Sequence, residues 1–397
     1  MRGPRLAYIS FDTVPAPKGA AIHIQAFACA LAKAFGGIEL VTVADGADLR
    51  TPAERWPGVF HTELPALGAT LIDRTRCFRS FLVRWLQNRQ LDAIQFRSIF
   101  EGLPLIELTG RSRLIFEVNG LPSIELKYRY PGVEDDRELM RKIVAQEQAC
   151  FDAVDLVITP SGVTRQYLTS ARGVSAEKVR RIANGVDVEM FRPLAIRRVE
   201  PCPTLRLLYF GTLSAWQGVE LGIRALAQVR PFTPATLTVI GAGSGRELDA
   251  LLALAAKLEV GADVAVFPAV PQQDLAEFLR ASDAALAPLT LNDRNLVQGC
   301  CPFKILESMA AGVPVIASDL PVVRELGCDG VHFLLVKPGS VDQIAEAALR
   351  LAHDRGLAAR ITAQARAHIL ANYTWEQSGM ALVRAYEEIG INRPSNS

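Results

Sequence analysis

The feature that most restricts this chain's fold is a rhythm that runs through it twice. Short apolar runs alternate with longer amphipathic stretches. In the first half the runs are "RLAYIS" (Arg5 to Ser10), "IELVTVA" (Ile38 to Ala44), "LDAIQF" (Leu91 to Phe96), "LIFEVN" (Leu114 to Asn119) and "LVITP" (Leu156 to Pro160). Periodic segments such as "AIHIQAFACALAKAF" and "ELMRKIVAQEQACF" separate most of them. Continuous apolar strands alternating with helices predict a parallel sheet covered on both faces. The rhythm breaks at Asn184 to Thr204, a stretch with an Asn-Gly turn and three prolines that reads as a linker. It restarts with "LRLLYFGT" (Leu205 to Thr212), "ATLTVIG" (Ala235 to Gly241), "VAVFPAV" (Val264 to Val270), "AALAPL" (Ala284 to Leu289), "PVIASD" (Pro314 to Asp319) and "HFLLV" (His332 to Val336), and a helical tail follows. The expectation is an α/β chain of two Rossmann-like αβα domains, 1–195 and 196–375. Ligands of open parallel sheets bind beyond the carboxyl ends of the strands, so a central cleft faced by both domains is the expected site.

Composition removes several functions. A chain of 397 residues calls for two cores. A formal net charge of +1 gives no polyanion-binding signal, so no nucleic-acid partner is expected. Seven scattered cysteines, odd in number and without a CxxC pair, read as reduced thiols and a cytoplasmic location. Adjacent Cys300 and Cys301 are poorly placed to bridge each other. His and Cys are not clustered as a metal site requires, so neither a metal nor a bound cofactor is expected. The basic start runs straight into a strand, without an apolar segment of leader or membrane-spanning length.

Three loops are candidates for holding an anion. After the first strand, Lys18, Gly19 and Ala20 sit where a helix begins, and free N–H groups there attract negative charge; an ordinary turn is the plain alternative. "VIGAGSGREL" looks like a dinucleotide fingerprint, but its third position is Arg246 and it follows the second strand of its domain. A backbone loop bordering the cleft is the better reading. The third is "QGCCPFKILESMAAGVPVIASDLP". Pro302 suits a first helical turn. The N–H groups from Phe303 to Leu306 and the Lys304 ammonium would face the cleft. Glu307, one turn on, can accept two hydroxyl hydrogens, as a ribose diol offers. The alternative is a carboxylate that complements the helix dipole and pairs with Lys304. On the chemistry alone both readings stand.

These residues resemble a known family. "ITPSGVTRQYL", "RIANGVDVEMFRP", "LLYFGTLSAWQGVELGIRALAQV", "FKILESMAAGVPVIASDLPVVREL" and "YTWEQSGMALVRAYEEI", in this order, are similar to the retaining glycosyltransferases of family 4 (group 1), of GT-B fold. The resemblance implies a hydroxyl acceptor and a nucleoside diphosphate sugar, UDP- or GDP-linked, as co-substrate. The sugar passes to the acceptor on the face the diphosphate vacates, without a metal. The diphosphate oxygen takes the acceptor's proton. The last helix, about 376–397, is expected to pack back on the first domain. The donor set is Lys18, Gly19, Gly211, Thr212, Gln217, Gly241, Val270, Arg294, Cys301, Pro302, Phe303, Lys304, Ile305 and Glu307. Asn119, Glu117 and Lys304 are the expected catalytic groups, with Asn119 and Glu117 facing the transferred sugar.

This sequence departs from the family pattern. Relatives carry two cations where Thr212 and Gln217 stand, an acid at the position of Gly299, and a histidine where Asn119 falls. Uncompensated diphosphate is costly in a low-dielectric site, so Lys304, Arg294 or Lys18 must replace the missing charge. Otherwise the chain is a non-catalytic nucleotide-sugar-binding relative; an epimerase or hydrolase that needs no acceptor is the other alternative. A glycan or lipid-linked acceptor is open. Asp73 to Arg89, with Phe78, Phe81, Leu82 and Trp85 on one helical face and five arginines, reads either as a peripheral membrane contact or as a helix packed on its own sheet. Tyr128, Tyr130, Lys127 and Arg129 could contact acceptor or cover the sheet, and His23 could approach the site or sit satisfied in the core.

Overall fold

The computed structural model describes residues 5–44, 53–87, 89–108, 110–193 and 204–394. It divides into two compact units: Met1–Ala183 with Glu376–Ser397, and Asn184–Trp375. The division thus falls at the start of the expected linker, because Val186 pairs with Thr374 and Asn184 bonds to Cys301, both in the second unit. Residues 194–203 of that linker lie outside the described residues.

In the first unit the strands are β1 (Leu6–Ile9), β2 (Ile38–Val43), β3 (Ala53–Trp56), β4 (Val59–Leu64), β5 (Ala93–Phe96), β6 (Arg113–Glu117), β7 (Leu156–Thr159) and β8 (Val179–Arg181). Their order across the sheet is β3-β4-β2-β1-β5-β6-β7-β8. All neighbours are parallel except β3, which runs antiparallel to β4 at the edge. β1, β5 and β7 are buried at every position, as strands covered on both faces must be. The helices are α1 (Gly19–Phe35), α2 (Leu71–Leu86), α3 (Ile99–Leu108), α4 (Pro122–Arg129), α5 (Arg137–Ala153) and α6 (Gly162–Ala171). β3 and β4 escaped the sequence reading because "AERW" sets Glu54 and Arg55 side by side and "VFHTEL" breaks its apolar run with His61, Thr62 and Glu63. They join at a two-residue turn with Gly58 at φ 73.

The second unit holds β9 (Leu205–Thr212), β10 (Ala235–Ala242), β11 (Val264–Phe267), β12 (Ala284–Ala287), β13 (Val315–Ser318) and β14 (Leu334–Val336). All are parallel, in the order β11-β10-β9-β12-β13-β14. That is the doubly wound order, with its switch point between β9 and β12. Its helices are α7 (Val219–Val229), α8 (Gly245–Lys257), α9 (Gln272–Ala281), α10 (Phe303–Ala310), α11 (Pro321–Arg324), α12 (Val341–His353) and α13 (Arg355–Asn372). α14 (Trp375–Glu388) begins in this unit and belongs to the first from Glu376 on. There Tyr386 donates to Gln95 at 2.8 Å, Ser378 donates to the Ala183 carbonyl at 2.9 Å, and Gly379 leaves room for Ala30.

The apolar face of α2 is part of the first unit's core. Phe78 and Leu82 are fully buried beside Trp85 and Leu86. Arg79 is tied to the Phe100 and Ile99 carbonyls, each at 2.7 Å. This corrects the membrane reading of 73–89: the side chains that would enter a lipid surface are spent on the sheet. Among the described residues no helix is long and apolar enough to cross a membrane. Phe78→Ala therefore lowers the unfolding free energy by about 3–5 kcal/mol, measured by urea denaturation. A loss within about 0.5 kcal/mol, as at a surface position, would return Phe78 to the surface.

Candidate active site

The second unit's site grows from the switch point of its sheet. β9 ends at Gly211 and Thr212; after it a short turn carries Trp216 and Gln217 to the start of α7. β12 is followed by a π-helical turn, Arg294–Gln298, and then by α10. Gly211 holds φ 132, a backbone state that suits glycine, and a Cβ there would lie 3.4 Å from the Lys304 ammonium. Gly241 is required by packing: its Cβ would fall 2.4 Å from the Gly211 carbonyl of the paired strand.

Lys304 reaches from the first turn of α10 toward the end of β9. Its Nζ donates to Gln217 Oε1 at 2.5 Å and lies 4.2 Å from the centre of the Tyr209 ring. The side chain is 6% exposed, and among the described residues no carboxylate pairs with it. Burial, with Arg294 nearby and Cys300 opposing, brings its pKa down to about 7. Pro302 precedes α10 as its N-cap, one position before the expected first turn, and supplies no side-chain cap. Arg294 lies over Trp216, 5.3 Å from the ring centre.

Glu307 follows one turn later and is 4% exposed. Its Oε1 accepts from Gln272 Nε2 at 2.9 Å; the other oxygen accepts nothing from the described residues. Burial raises this carboxyl to about pKa 7 against the opposing Gln272 hydrogen bond. Gln272 starts α9, so this bond brings the end of the loop containing Val270 to the carboxylate. Glu307 does not pair with Lys304, as one sequence reading had it.

The rest of the expected donor set divides. Cys301 is buried, and its carbonyl accepts from Asn184 at 2.7 Å. Phe303 packs on Trp375 with ring centres 5.9 Å apart, which leaves its N–H as its possible ligand group. Ile305 is corrected: its side chain is fully buried and its N–H is taken by the Pro302 carbonyl at 3.2 Å. In the glycine-rich "VIGAGSGREL" Ser244 and Glu247 cap α8 reciprocally, which takes the N–H groups of those two residues.

Lys18, Gly19, Glu117 and Asn119 belong to the first unit. Lys18 is the N-cap residue of α1, and its ammonium lies 3.1 Å from Asp12, which also receives Arg97 at 2.8 Å. Its charge is therefore answered within the unit. Glu117 is 1% exposed at the end of β6. Tyr8 and Gln95 donate to one oxygen, each at 2.5 Å. Arg97 Nε and His23 Nε2 lie 2.9 Å from the other, which also takes the Asn119 amide. Burial pushes this carboxyl up, but His23 and Arg97 outweigh it and hold the pKa at about 2. Glu117 thus has no oxygen left for a sugar hydroxyl, which corrects its expected role. It is an ionised anchor for its neighbours. Asn119 must turn its NH2 toward that acceptor, which leaves its carbonyl oxygen as the free end. His23 is buried on this anchor. Arg97, Asp12, Tyr8 and Tyr386 were not foreseen; Gln95 and Glu117 inside apolar runs were the signal that something polar must meet them.

The second unit is thus a doubly wound parallel sheet with a buried lysine at its switch point. The family described as Glycosyl transferases group 1 matches residues 199–368, and Glycosyltransferase Family 4 matches residues 17–190. A D-inositol 3-phosphate glycosyltransferase of Acidothermus cellulolyticus is 29% identical over 59% of this chain and 54% of its own length. One from Xylanimonas cellulosilytica is 23% identical over 99% of both. Sucrose-phosphate synthase of Thermosynechococcus elongatus superposes with TM-score 0.79 at 20% identity, over 97% of this chain and 99% of that one. Anabaena HepE in complex with UDP-glucose superposes with TM-score 0.76 at 17% identity, over 96% and 99%. The chain belongs to the group 1, family 4 glycosyltransferases and has their GT-B fold.

Lys304 sets a pH-dependent stability. An unfolded lysine keeps a proton that the fold must bury or release, so its cost is full below about pH 7 and fades as pH rises toward the ordinary lysine range. Lys304→Met keeps much of the stem and removes the charge. Without ligand the variant unfolds at higher urea than the parent at about pH 6, and this gain shrinks by about 2–3 kcal/mol by about pH 9. A gain that does not change with pH would show that the buried charge is not its source.

Proposed function

We propose that this glycosyltransferase moves a sugar, with retention at the anomeric carbon, from a nucleoside diphosphate sugar to an acceptor hydroxyl. The observation that carries the donor assignment is Lys304: a buried amine at the start of α10, with no carboxylate on it among the described residues, beside the end of β9. A diphosphate supplies the missing negative charge, and the uncapped first turn of α10 adds N–H donors and dipole. Glu307 offers its unused oxygen to the ribose diol. Charge that grows on the leaving diphosphate falls on Lys304 and the Phe303 and Lys304 amides, so the protein's own groups, without a metal, supply the stabilisation. The diphosphate oxygen receives the acceptor's proton as the bond breaks. Thr212 and Gln217 then mark a cation that has changed its place, and Gln217 directs it. The unbridged thiols at Cys29, Cys77, Cys150 and Cys328 support a reducing, cytoplasmic setting.

UDP- and GDP-sugars offered with free sugars, D-inositol 3-phosphate and lipid-linked acceptors test the reading. Transfer with the donor's anomeric configuration kept, read by NMR coupling of the product, is the expected result. Donor turnover without an acceptor would favour the epimerase or hydrolase instead, and binding without turnover a non-catalytic relative. Lys304→Met weakens nucleoside diphosphate binding by at least about tenfold and leaves nucleoside affinity within about twofold, on the scale of a charge-assisted hydrogen bond. Equal losses for both ligands in calorimetry remove the lysine from the phosphate. The wild type prefers a ribose over a 2′-deoxyribose diphosphate by about tenfold or more, and Glu307→Ala erases that preference; a preference that survives assigns the diol to another group.

A further inference from the structure

Lys304 and Glu307 stand three residues apart on α10, each less than a tenth exposed, and among the described residues neither pairs with an opposite charge. Each has one polar side-chain partner, and both partners are amides: Gln217 accepts from Lys304, and Gln272 donates to Glu307. An amide carbonyl serves an amine as well as an ammonium, and an amide NH2 serves a carboxylic acid as well as a carboxylate. The surroundings therefore tolerate the pair in its neutral form. The other groups that face Lys304 are the Tyr209 ring, the Arg294 guanidinium and the Cys300 thiol. The Tyr209 hydroxyl donates to the Thr212 carbonyl at 2.6 Å, and burial raises its pKa far above the ordinary range, so it stays neutral. Arg294 disfavours a second cation.

We propose that donor binding at this site moves protons: Lys304 gains one as the diphosphate arrives, and Glu307 gives one up as the ribose diol bonds to it. A neutral amine and acid become an ammonium and a carboxylate, each with a ligand partner. Near neutrality the proton lost by one matches the proton gained by the other. The free groups titrate near pH 7. At higher pH Glu307 is already ionised, and binding takes a proton from solution. At lower pH Lys304 is already charged, and binding releases one. Donor affinity is therefore greatest near neutral pH and falls about tenfold per unit on either side.

This rests on the donor reading above, and the test separates the two. Titration calorimetry of the wild-type chain with UDP-glucose and with GDP-glucose is run in Tris and in EPPS at the higher pH below and in MES and in acetate at the lower, each pair differing in ionisation heat. Both nucleotide sugars are diphosphate diesters and bring no titrating phosphate proton of their own. Expected is uptake of about one proton per donor at about pH 8.5 and release of about one at about pH 5.5. Lys304→Met loses the uptake and keeps the release; Glu307→Gln does the reverse. Should either variant fail to fold or bind, the wild-type measurements at the two pH values decide. Binding whose heat is independent of buffer at both pH values overturns the proton exchange and leaves the donor reading intact. Failure of both nucleotide sugars to bind overturns both readings.

Discussion

A lysine amine taken out of water, with no carboxylate beside it among the described residues, is the constraint on which the second unit's site depends. Lys304 could have reached solvent or a carboxylate. Instead it lies under Gly211, against Tyr209 and on the oxygen of Gln217. Such burial is tolerated only where the rest of the fold is secure or where an anion arrives. Six parallel strands and a well-packed core supply the first condition. The second is what the proposed nucleoside diphosphate donor brings. Gly211 follows from the same need, since a Cβ there would meet the amine, while Gly241 clears the Gly211 carbonyl on the paired strand.

The first unit solves the opposite problem. Among its buried charges is a carboxylate, Glu117, and the fold surrounds it with donors drawn from β1, β5, α1 and the segments after β5 and β6. One unit thus carries an anion held by five donors and the other a buried amine held by one amide. The anion is scaffold, since its own unit takes both its oxygens.

Much of this could be read from the residues. The apolar runs at Leu6–Ile9, Leu205–Thr212 and Val315–Ser318 are strands because parallel sheets bury both faces, and that pattern is local. Lys304 and Glu307 were visible as charges inside an apolar helix. What the sequence hid was pairing. Gln217 and Lys304 are 87 positions apart, and Glu117 draws on residues from Tyr8 to Asn119. No periodicity joins such positions; only the order of strands does. For the same reason Glu117 looked outward-facing in the sequence and is sealed, and the aromatic face of α2 looked available to lipid and is core.

The placement of α14 has a consequence for how the chain is made. The helix that donates Tyr386 to Gln95 and leans Gly379 on Ala30 is translated after the whole second unit. The first unit therefore leaves the ribosome with one flank open, and that apolar seam stays uncovered while 184–375 emerges. Folding from the amino terminus stalls one helix short of completion, and the nascent chain is most open to aggregation during that interval.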